Sequence, residues 1–323
     1  MLAFIIRRLL GLVVVLFTIT VVVFLLFFAT PGVDPSARLA GRNPSPETVA
    51  AVKHEFGLDR SLPVRYGLMM KRLFISRDLV SYGNQALEVV PAILSAAPVT
   101  FSLVFGAAVL WVIVSIAMGI MAVTFKGTFV DPLLMILALI GISMPVFWLG
   151  EVLNLITQDR LHDTFFFRWV PPLGYVPFTQ DPWQWFLHLI IPWITLSILY
   201  IGFYARVLRA NMLDIQNEDY VRTAKAKGLP PQKVLVRHVL RNSMITFVSL
   251  FGLDLGVLIG GGALLTEVVF NLPGVGRLTY NALTALDLPV IMATVIYGAF
   301  FISILSAVVD ILYARLDPRI RPT

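Results

Sequence analysis

The stretch LLGLVVVLFTITVVVFLLFFA, from Leu9 to Ala29, carries no charged side chain and closes on Thr30-Pro31-Gly32. About 20 apolar residues, rising about 1.5 Å each, cross the hydrocarbon core of a bilayer. The stretch therefore predicts a membrane-spanning helix. A secretory signal has an apolar core of only about 7–15 residues, and Arg7-Arg8 ahead of this one lacks most of a twin-arginine context. The segment reads as a permanent span.

Working outward, further runs of span length occupy Val99–Thr124, Pro132–Thr157, Phe186–Ala205, Ser243–Thr266 and Pro289–Tyr313. Six spans result, with five or seven open if Trp183–Ile191 lies in the interface. The 323 residues are 58% hydrophobic and 14% charged, against about 45–50% and about 25% in soluble domains. That balance excludes disorder, and no reserve of amphipathic helices exists to cover so many buried ones. The expected fold class is an all-α polytopic membrane protein. With no cysteine in the chain, disulfides, thiolate metal sites and a cysteine nucleophile are excluded.

Lys and Arg near span ends set orientation. With a cytoplasmic N-terminus, the inner segments hold Arg7, Arg8, Lys126, the basic series from Arg206 to Arg241, and Arg315, Arg319 and Arg321. The short outer loops hold only Arg160, Arg168 and Arg277. The long Thr30–Pro98 segment is also basic, but it exceeds the length over which the rule applies, and Glu47, Glu55, Asp59 and Asp78 balance it. Both termini are expected inside. The net charge of +6 is then a topology signal and calls for no nucleic acid.

Two polar segments remain. In the outer one, Ser45-Pro46-Glu47 has the form of an N-cap, a proline at N1 and an acid in the first turn. Val49, Val52 and Phe56 share a face, and Gly57 is a natural stop. A second short helix is expected over Pro63–Ile75, so the segment reads as a small outer cap, or else as a tether. In the inner segment, Arg206–Asn242, Glu218 and Asp219 open a short helix, Lys225 and Lys227 close it, and Gly228 ends it, an arrangement that complements the helix dipole. Pro230-Pro231 then force a turn before a second helix, Gln232–Asn242. Tyr220, Val221, Ala224 and Leu229 offer a small apolar surface amid positive charge. It suits either a partner protein or anionic lipid headgroups.

The run Glu218-Asp219-Tyr220-Val221-Arg222-Thr223-Ala224-Lys225-Ala226-Lys227-Gly228 resembles the cytoplasmic loop of importer-type ABC permeases, in the form found in dipeptide and oligopeptide permeases. The general ABC pattern has Glu-Ala-Ala six residues before the glycine; Arg222-Thr223-Ala224 stands here, as is common in the peptide permeases. The similarity continues at Arg7-Arg8-Leu9-Leu10, at Thr30-Pro31-Gly32 and at Gly57-Leu58-Asp59-Arg60-Ser61-Leu62-Pro63-Val64-Arg65-Tyr66. It continues again at Glu267-Val268-Val269-Phe270 with Leu272-Pro273-Gly274-Val275-Gly276-Arg277-Leu278, and at Leu316-Asp317-Pro318-Arg319-Ile320-Arg321. One stretch departs: Ser76-Arg77-Asp78-Leu79-Val80 stands where the family often has Gly-Asp-Leu-Gly.

The resemblance is to the B-type permease subunit of bacterial dipeptide/oligopeptide ABC importers. It implies six transmembrane helices of the type I importer permease kind, with a small outer domain between the first two. The implied organisation is 1–30, N-terminus and first span; 31–97, extracytoplasmic segment; 98–313, a five-helix core containing the coupling loop 206–242; and 314–323, a cytoplasmic tail. Implied partners are a second homologous permease, one or two kinds of ABC ATPase subunit, an extracytoplasmic substrate-binding protein, membrane lipid and a peptide substrate. ATP and Mg2+ are expected on the ATPase chains, with no cofactor and no catalysis in this one. The location is the bacterial cytoplasmic membrane.

On this view Glu218, Asp219, Tyr220, Val221, Thr223, Ala224, Lys225, Ala226 and Gly228 couple to the ATPase. Gly252, Gly256 and Gly260 recur every fourth residue, a spacing that lets helices approach closely in lipid, and with Asp254 they are expected at the pathway or at the seam between paired permeases. Packing within one subunit is the alternative for the glycines. Glu267, Pro273, Gly274, Gly276 and Arg277 form an outer gate or binding-protein dock, or a plain helix-capping turn. Glu151 and Asp310 read as structural, and Trp169, Tyr175, Trp183 and Trp185 as interfacial anchors.

The residues fit that division of labour. No Gly-Lys dipeptide occurs, so no Walker A lysine exists. HExxH is absent, and His54, His162, His188 and His238 are scattered. Within the ABC reading, nickel, glutathione or another small solute is the alternative substrate. An ion-coupled secondary transporter is less favoured, since no inverted pair of broken spans is evident. An intramembrane enzyme is disfavoured because the spans hold no paired acids or Ser/His set.

Overall fold

The computed structural model describes residues 2–28, 45–55 and 57–316. The Thr30–Gly32 exit, Phe56 and the Asp317–Arg321 motif lie outside them. The described helices are α1 (Leu2–Phe28), α2 (Pro46–Glu55), α3 (Leu62–Lys71), α4 (Val89–Thr124), α5 (Val130–Ser143), α6 (Val146–Asn154), α7 (Pro182–Ile215), α8 (Asp219–Ala226), α9 (Pro231–Val234), α10 (Arg241–Val257), α11 (Leu264–Val269), α12 (Val275–Ala285) and α13 (Leu288–Leu316). Among the described residues there is no strand, only an isolated antiparallel bridge between Val80 and Glu88.

Five helical runs are long and apolar enough to cross a membrane: Ile6–Phe27, Val89–Thr124, Pro182–Ile215, Pro231–Gly262 and Leu288–Ile311. A sixth forms if α5 and the run Val146–Arg160 count as one span. The protein is thus all-α with five to six candidate spans. The third run, expected as one span over Pro132–Thr157, is bent by 95°. Pro145 has no N–H to continue the ladder and drives Met144 to extended backbone, φ −86° and ψ 127°. Trp183–Ile191 is no separate interfacial piece. It belongs to α7, whose first turn is capped by Asp181 accepting from the N–H groups of Trp183 (2.9 Å) and Gln184 (3.0 Å). The fifth run begins earlier than expected, at Pro231, and its last turn is broken by Gly261 at φ 122°.

The chain divides into two compact units of interleaved segments. The first comprises Met1–Thr100, Gly256–Leu264 and Pro273–Ala307. Its core gathers Phe24 of α1, Met69 and Leu73, Leu79, Val89 and Ile93, and Val290, Ile291 and Met292 of α13. Tyr66 of α3 shares a 2.7 Å hydrogen bond with Thr20 and lies edge-on to Phe24 at 5.4 Å. The outer segment therefore packs on α1 as a small apolar-cored cap and is more than a tether. Its first helix starts at Pro46 as expected. It ends at Gly57 (φ 66°), where Leu58 N–H reaches Lys53 O at 2.7 Å and closes the cap that a left-handed glycine permits.

Where the departing Arg77-Asp78-Leu79-Val80 stands, Arg77 takes the left-handed conformation (φ 59°) that glycine adopts freely, and Leu79 is buried. Just beyond, buried Asp287 accepts from the Ser81 hydroxyl and from Tyr82 N–H at 3.0 Å. Ser81 Oγ in turn accepts from the N–H groups of Gly83 (3.1 Å) and Asn84 (2.9 Å). Burial pushes the neighbouring Tyr82 phenol up to about 12, against the pull of Arg65 and Arg72, so it stays neutral at physiological pH.

The second unit comprises Phe101–Leu255, Leu265–Leu272 and Val308–Thr323. Here α5 and α7 approach closely because small residues face each other's backbones. A Cβ on Gly202 would strike the Ala138 carbonyl, and one on Gly141 would lie 3.1 Å from the Ile198 carbonyl. The two helices are further clamped by a bidentate ion pair. Arg209 Nε and Nη2 donate to the two Asp131 carboxylate oxygens, each at 2.6 Å. Such a planar fork fixes geometry as well as supplying energy.

Candidate functional site

The inner segment folds as the helix, turn and helix expected, with one change. Helix α8 opens after Glu218, which holds extended backbone (φ −68°, ψ 145°) without a side-chain cap. It stops at Gly228, whose φ of 74° suits glycine, while no atom lies close enough to crowd a Cβ there. The turn is closed by Gly228 N–H to Lys225 O (2.9 Å) and Leu229 N–H to Ala224 O (3.4 Å). The second helix does not end at Asn242. From Pro231 it passes through a π-helical stretch, Leu235–Leu240, directly into α10. The basic inner helix and the fifth span are one continuous element.

Val221 and Ala224, expected to form an exposed apolar surface, are buried against the chain itself, as are Val234 and Val239. The physical reason is the spacing: positions three apart on an eight-residue helix share one face, and that face seats the helix. Tyr220, Thr223, Lys225, Ala226 and Gly228 remain exposed, with Glu218 and Asp219. Tyr220 is 43% exposed, yet its hydroxyl accepts from Asn242 Nδ2 at 2.8 Å. Asn242 also donates to His238 O at 3.0 Å, which fixes the amide on α10. The exposed Arg222–Asp219 pair, 3.6 Å apart, adds little, as exposed pairs do.

Each glycine of the expected pathway stripe meets the sixth span of the same chain. In the second unit, a Cβ on Gly252 would collide with Val309. In the first unit, a Cβ on Gly256 would lie 3.1 Å from Ile302 Cα, and one on Gly260 would lie 2.9 Å from the Gly298 carbonyl oxygen. Within this chain the stripe packs the fifth helix closely against the sixth. Asp254 is different: half-buried, it accepts a hydrogen bond from the Tyr204 hydroxyl at 2.5 Å.

The outer-gate residues also separate. Glu267 is wholly buried within α11, so it offers no surface to a binding protein. Gly274 and Gly276 are buried as well, and Val275 N–H at the start of α12 donates to Thr100 Oγ1 at 2.9 Å. The turn thus caps a helix. Pro273 is exposed and Arg277 half-buried. Of the aromatic set, Trp183 and Trp169 are exposed. Trp185 instead packs edge-on to Trp193 at 5.1 Å, and the Tyr175 hydroxyl lies 3.2 Å from that of Ser102.

Sequence reading missed Asn242, Tyr204, Trp111 and the Asp131–Arg209 pair. Only Tyr200 and Tyr204, four apart on one helix, carried a local signal. Glu151 is exposed and Asp310 half-buried. Among the described residues no group of three or more His, Asp or Glu could hold a metal ion.

Residues 115–322 match the family model for the binding-protein-dependent transport system inner membrane component, and residues 1–104 match the model for the N-terminal part of such membrane components. A permease protein of Brucella abortus (strain 2308), whose name assigns it to a peptide transport system, is 36% identical over 321 residues, 99% of each chain. A glutathione transport system permease protein of Salmonella typhimurium (strain LT2) is 35% identical over 325 residues, again 99% of each. A dipeptide transport system permease protein of Alkalihalophilus pseudofirmus is 33% identical over 341 residues, 99% of this chain and 100% of that one. The chain belongs to the binding-protein-dependent transport system inner membrane components, the permeases of ABC importers, which are not themselves the catalysts.

Proposed function

We propose that this permease forms half of the translocation pathway of an ATP-driven importer of di- and oligopeptides, with both termini in the cytoplasm. The observation that carries the substrate class is end-to-end similarity to permeases named for peptide, dipeptide and glutathione transport. Glutathione is itself a tripeptide, so all three names describe short peptide-bonded chains. A second permease of the same family completes the pathway, a substrate-binding protein delivers the peptide from outside, and one or two kinds of ATPase chain bind ATP and Mg2+ beneath.

Coupling follows from the continuity of one element. Closure of the ATPase pair displaces α8, whose exposed face of Tyr220, Thr223 and Ala226 is available to a partner. The Tyr220–Asn242 bond and the buried Val221 and Ala224 pass that displacement to the helix running from Pro231 to Gly262. The pathway then alternates between outward and inward access.

The test is to tag the chain, extract it in mild detergent and identify co-purifying proteins. Reconstitution with the binding protein and labelled dipeptide, glutathione or nickel follows. Recovery of a second permease and ATPases, with ATP-dependent dipeptide uptake, is expected. Uptake of nickel alone would overturn the peptide assignment. A chain that emerges alone from several detergents would overturn the coupling assignment.

A further inference from the structure

We propose that Asp254 and the aromatic side chains around it form a subsite for a primary ammonium, the group that a peptide carries at its free N-terminus. This deepens the peptide-importer reading and rests on it for the identity of the ligand.

Asp254 lies near the middle of the apolar part of the fifth helix, about 17 Å along from Ser243 at about 1.5 Å per residue. Its recorded hydrogen bond is a single neutral one, from Tyr204. Among the described residues, no lysine or arginine comes within ion-pair distance of it. A carboxylate at membrane depth with one neutral donor is costly, and such groups characteristically face protein interiors or watery pathways and mark the ligand they balance.

The surroundings are chosen for the same sign of charge. Tyr204 is wholly buried, with Phe247 edge-on at 4.8 Å and Trp111 at 6.1 Å. Trp111, also wholly buried, stacks on Tyr200 at 4.6 Å and meets Phe251 at 5.5 Å. Phe247, Phe251 and Asp254 fall on one face of α10, at spacings of four and three. Ring faces carry negative potential and attract cations, most strongly where water is excluded. The Asp254 carboxylate is thus joined, through Tyr204, to a cluster of five electron-rich rings, and its charge suits a cation.

A second unsatisfied group lies in the same aromatic cluster. The Trp111 indole N–H is buried without a hydrogen-bond partner. It is a donor only, and its complement is an acceptor such as a carbonyl oxygen. A peptide N-terminus carries an ammonium and a carbonyl one carbon apart, whereas a lysine side chain carries its ammonium far from any carbonyl.

The complete transporter in nanodiscs is titrated with benzylammonium and with benzyl alcohol, its neutral counterpart. Benzylammonium is expected to bind the wild type at least about tenfold more tightly, a difference of about 1.4 kcal/mol. Asp254→Asn brings the two within about twofold, and Asp254→Glu keeps the preference. On the wild type alone, so that nothing depends on a variant folding, glycinamide displaces benzylammonium at least about threefold better than Nα-acetyl-lysine amide does. Equal binding of the two benzyl probes would overturn the subsite. Displacement by potassium as effective as by glycinamide, or stronger displacement by the lysine derivative, would also overturn it. Peptide uptake by the reconstituted importer is read separately. Loss of ammonium preference with uptake present counts against the subsite alone, and absence of uptake with the preference intact counts against the peptide reading alone.

Discussion

Asn242 Nδ2 donates to the Tyr220 hydroxyl at 2.8 Å, across 22 positions of sequence. That bond joins the tip of an exposed, charged helix to the first turn of α10, and α10 continues without a break into the membrane. A net hydrogen bond contributes only about 1 kcal/mol, but here it restrains the one large apolar side chain on the exposed face of α8.

Removing either partner is expected to loosen coupling without dispersing the transporter. Asn242→Ala and Tyr220→Phe should each lower peptide imported per ATP hydrolysed by about three- to tenfold, roughly the loss of one such bond. The double variant should be no worse than Asn242→Ala alone, because that variant already lacks the bond that Tyr220→Phe removes. Uptake and ATP turnover measured in the same proteoliposomes provide the check.

The Asp131–Arg209 clamp makes a stability prediction. Asp131→Ala or Arg209→Ala alone strands a largely buried charge and should cost about 2–4 kcal/mol. The double alanine variant should lose less than the sum, since neither charge is stranded. Thermal unfolding of the purified chain in detergent, read for all three variants, measures the difference.

Helix contact through glycine is testable by adding one methyl group. Gly260→Ala and Gly298→Ala each push a Cβ onto the backbone of the opposing helix and should destabilise by about 1–3 kcal/mol. Gly11→Ala, where no atom lies within contact, should leave stability unchanged or slightly raised, as helix propensity favours alanine. Detergent thermal shift separates the two outcomes.

Arg77 holds a left-handed backbone at φ 59°, a conformation costing non-glycine residues about 1–2 kcal/mol. Arg77→Gly removes that cost but frees the unfolded chain, so a net gain of about 0.5–1 kcal/mol is expected. Arg77→Ala should give none of it. Thermal unfolding of the two variants side by side decides the matter.

Much of this was legible in one dimension. Apolar runs locate the spans because the bilayer sets a minimum length, and helix α8 with Gly228 was readable because caps and dipoles act within one turn. Pro145 shows the limit. A proline inside an apolar run announces a break, but the run's hydrophobicity alone reads as one span. Val221 and Ala224 show another: their pattern marks an apolar face without saying whether a partner or the chain itself covers it.

The amino-acid sequence by itself determined the membrane class, the number of apolar runs, the extent of the short helix before Gly228 and the likeness to importer permeases. All of these follow from composition, periodicity and contiguous motifs. Only the tertiary structure decided that the glycine stripe packs against the sixth helix, that Glu267 is buried, and that Tyr204 and Asn242 hold Asp254 and Tyr220. Those outcomes depend on which helices meet, and residues 22 or 50 positions apart leave no periodic trace of the hydrogen bond that joins them.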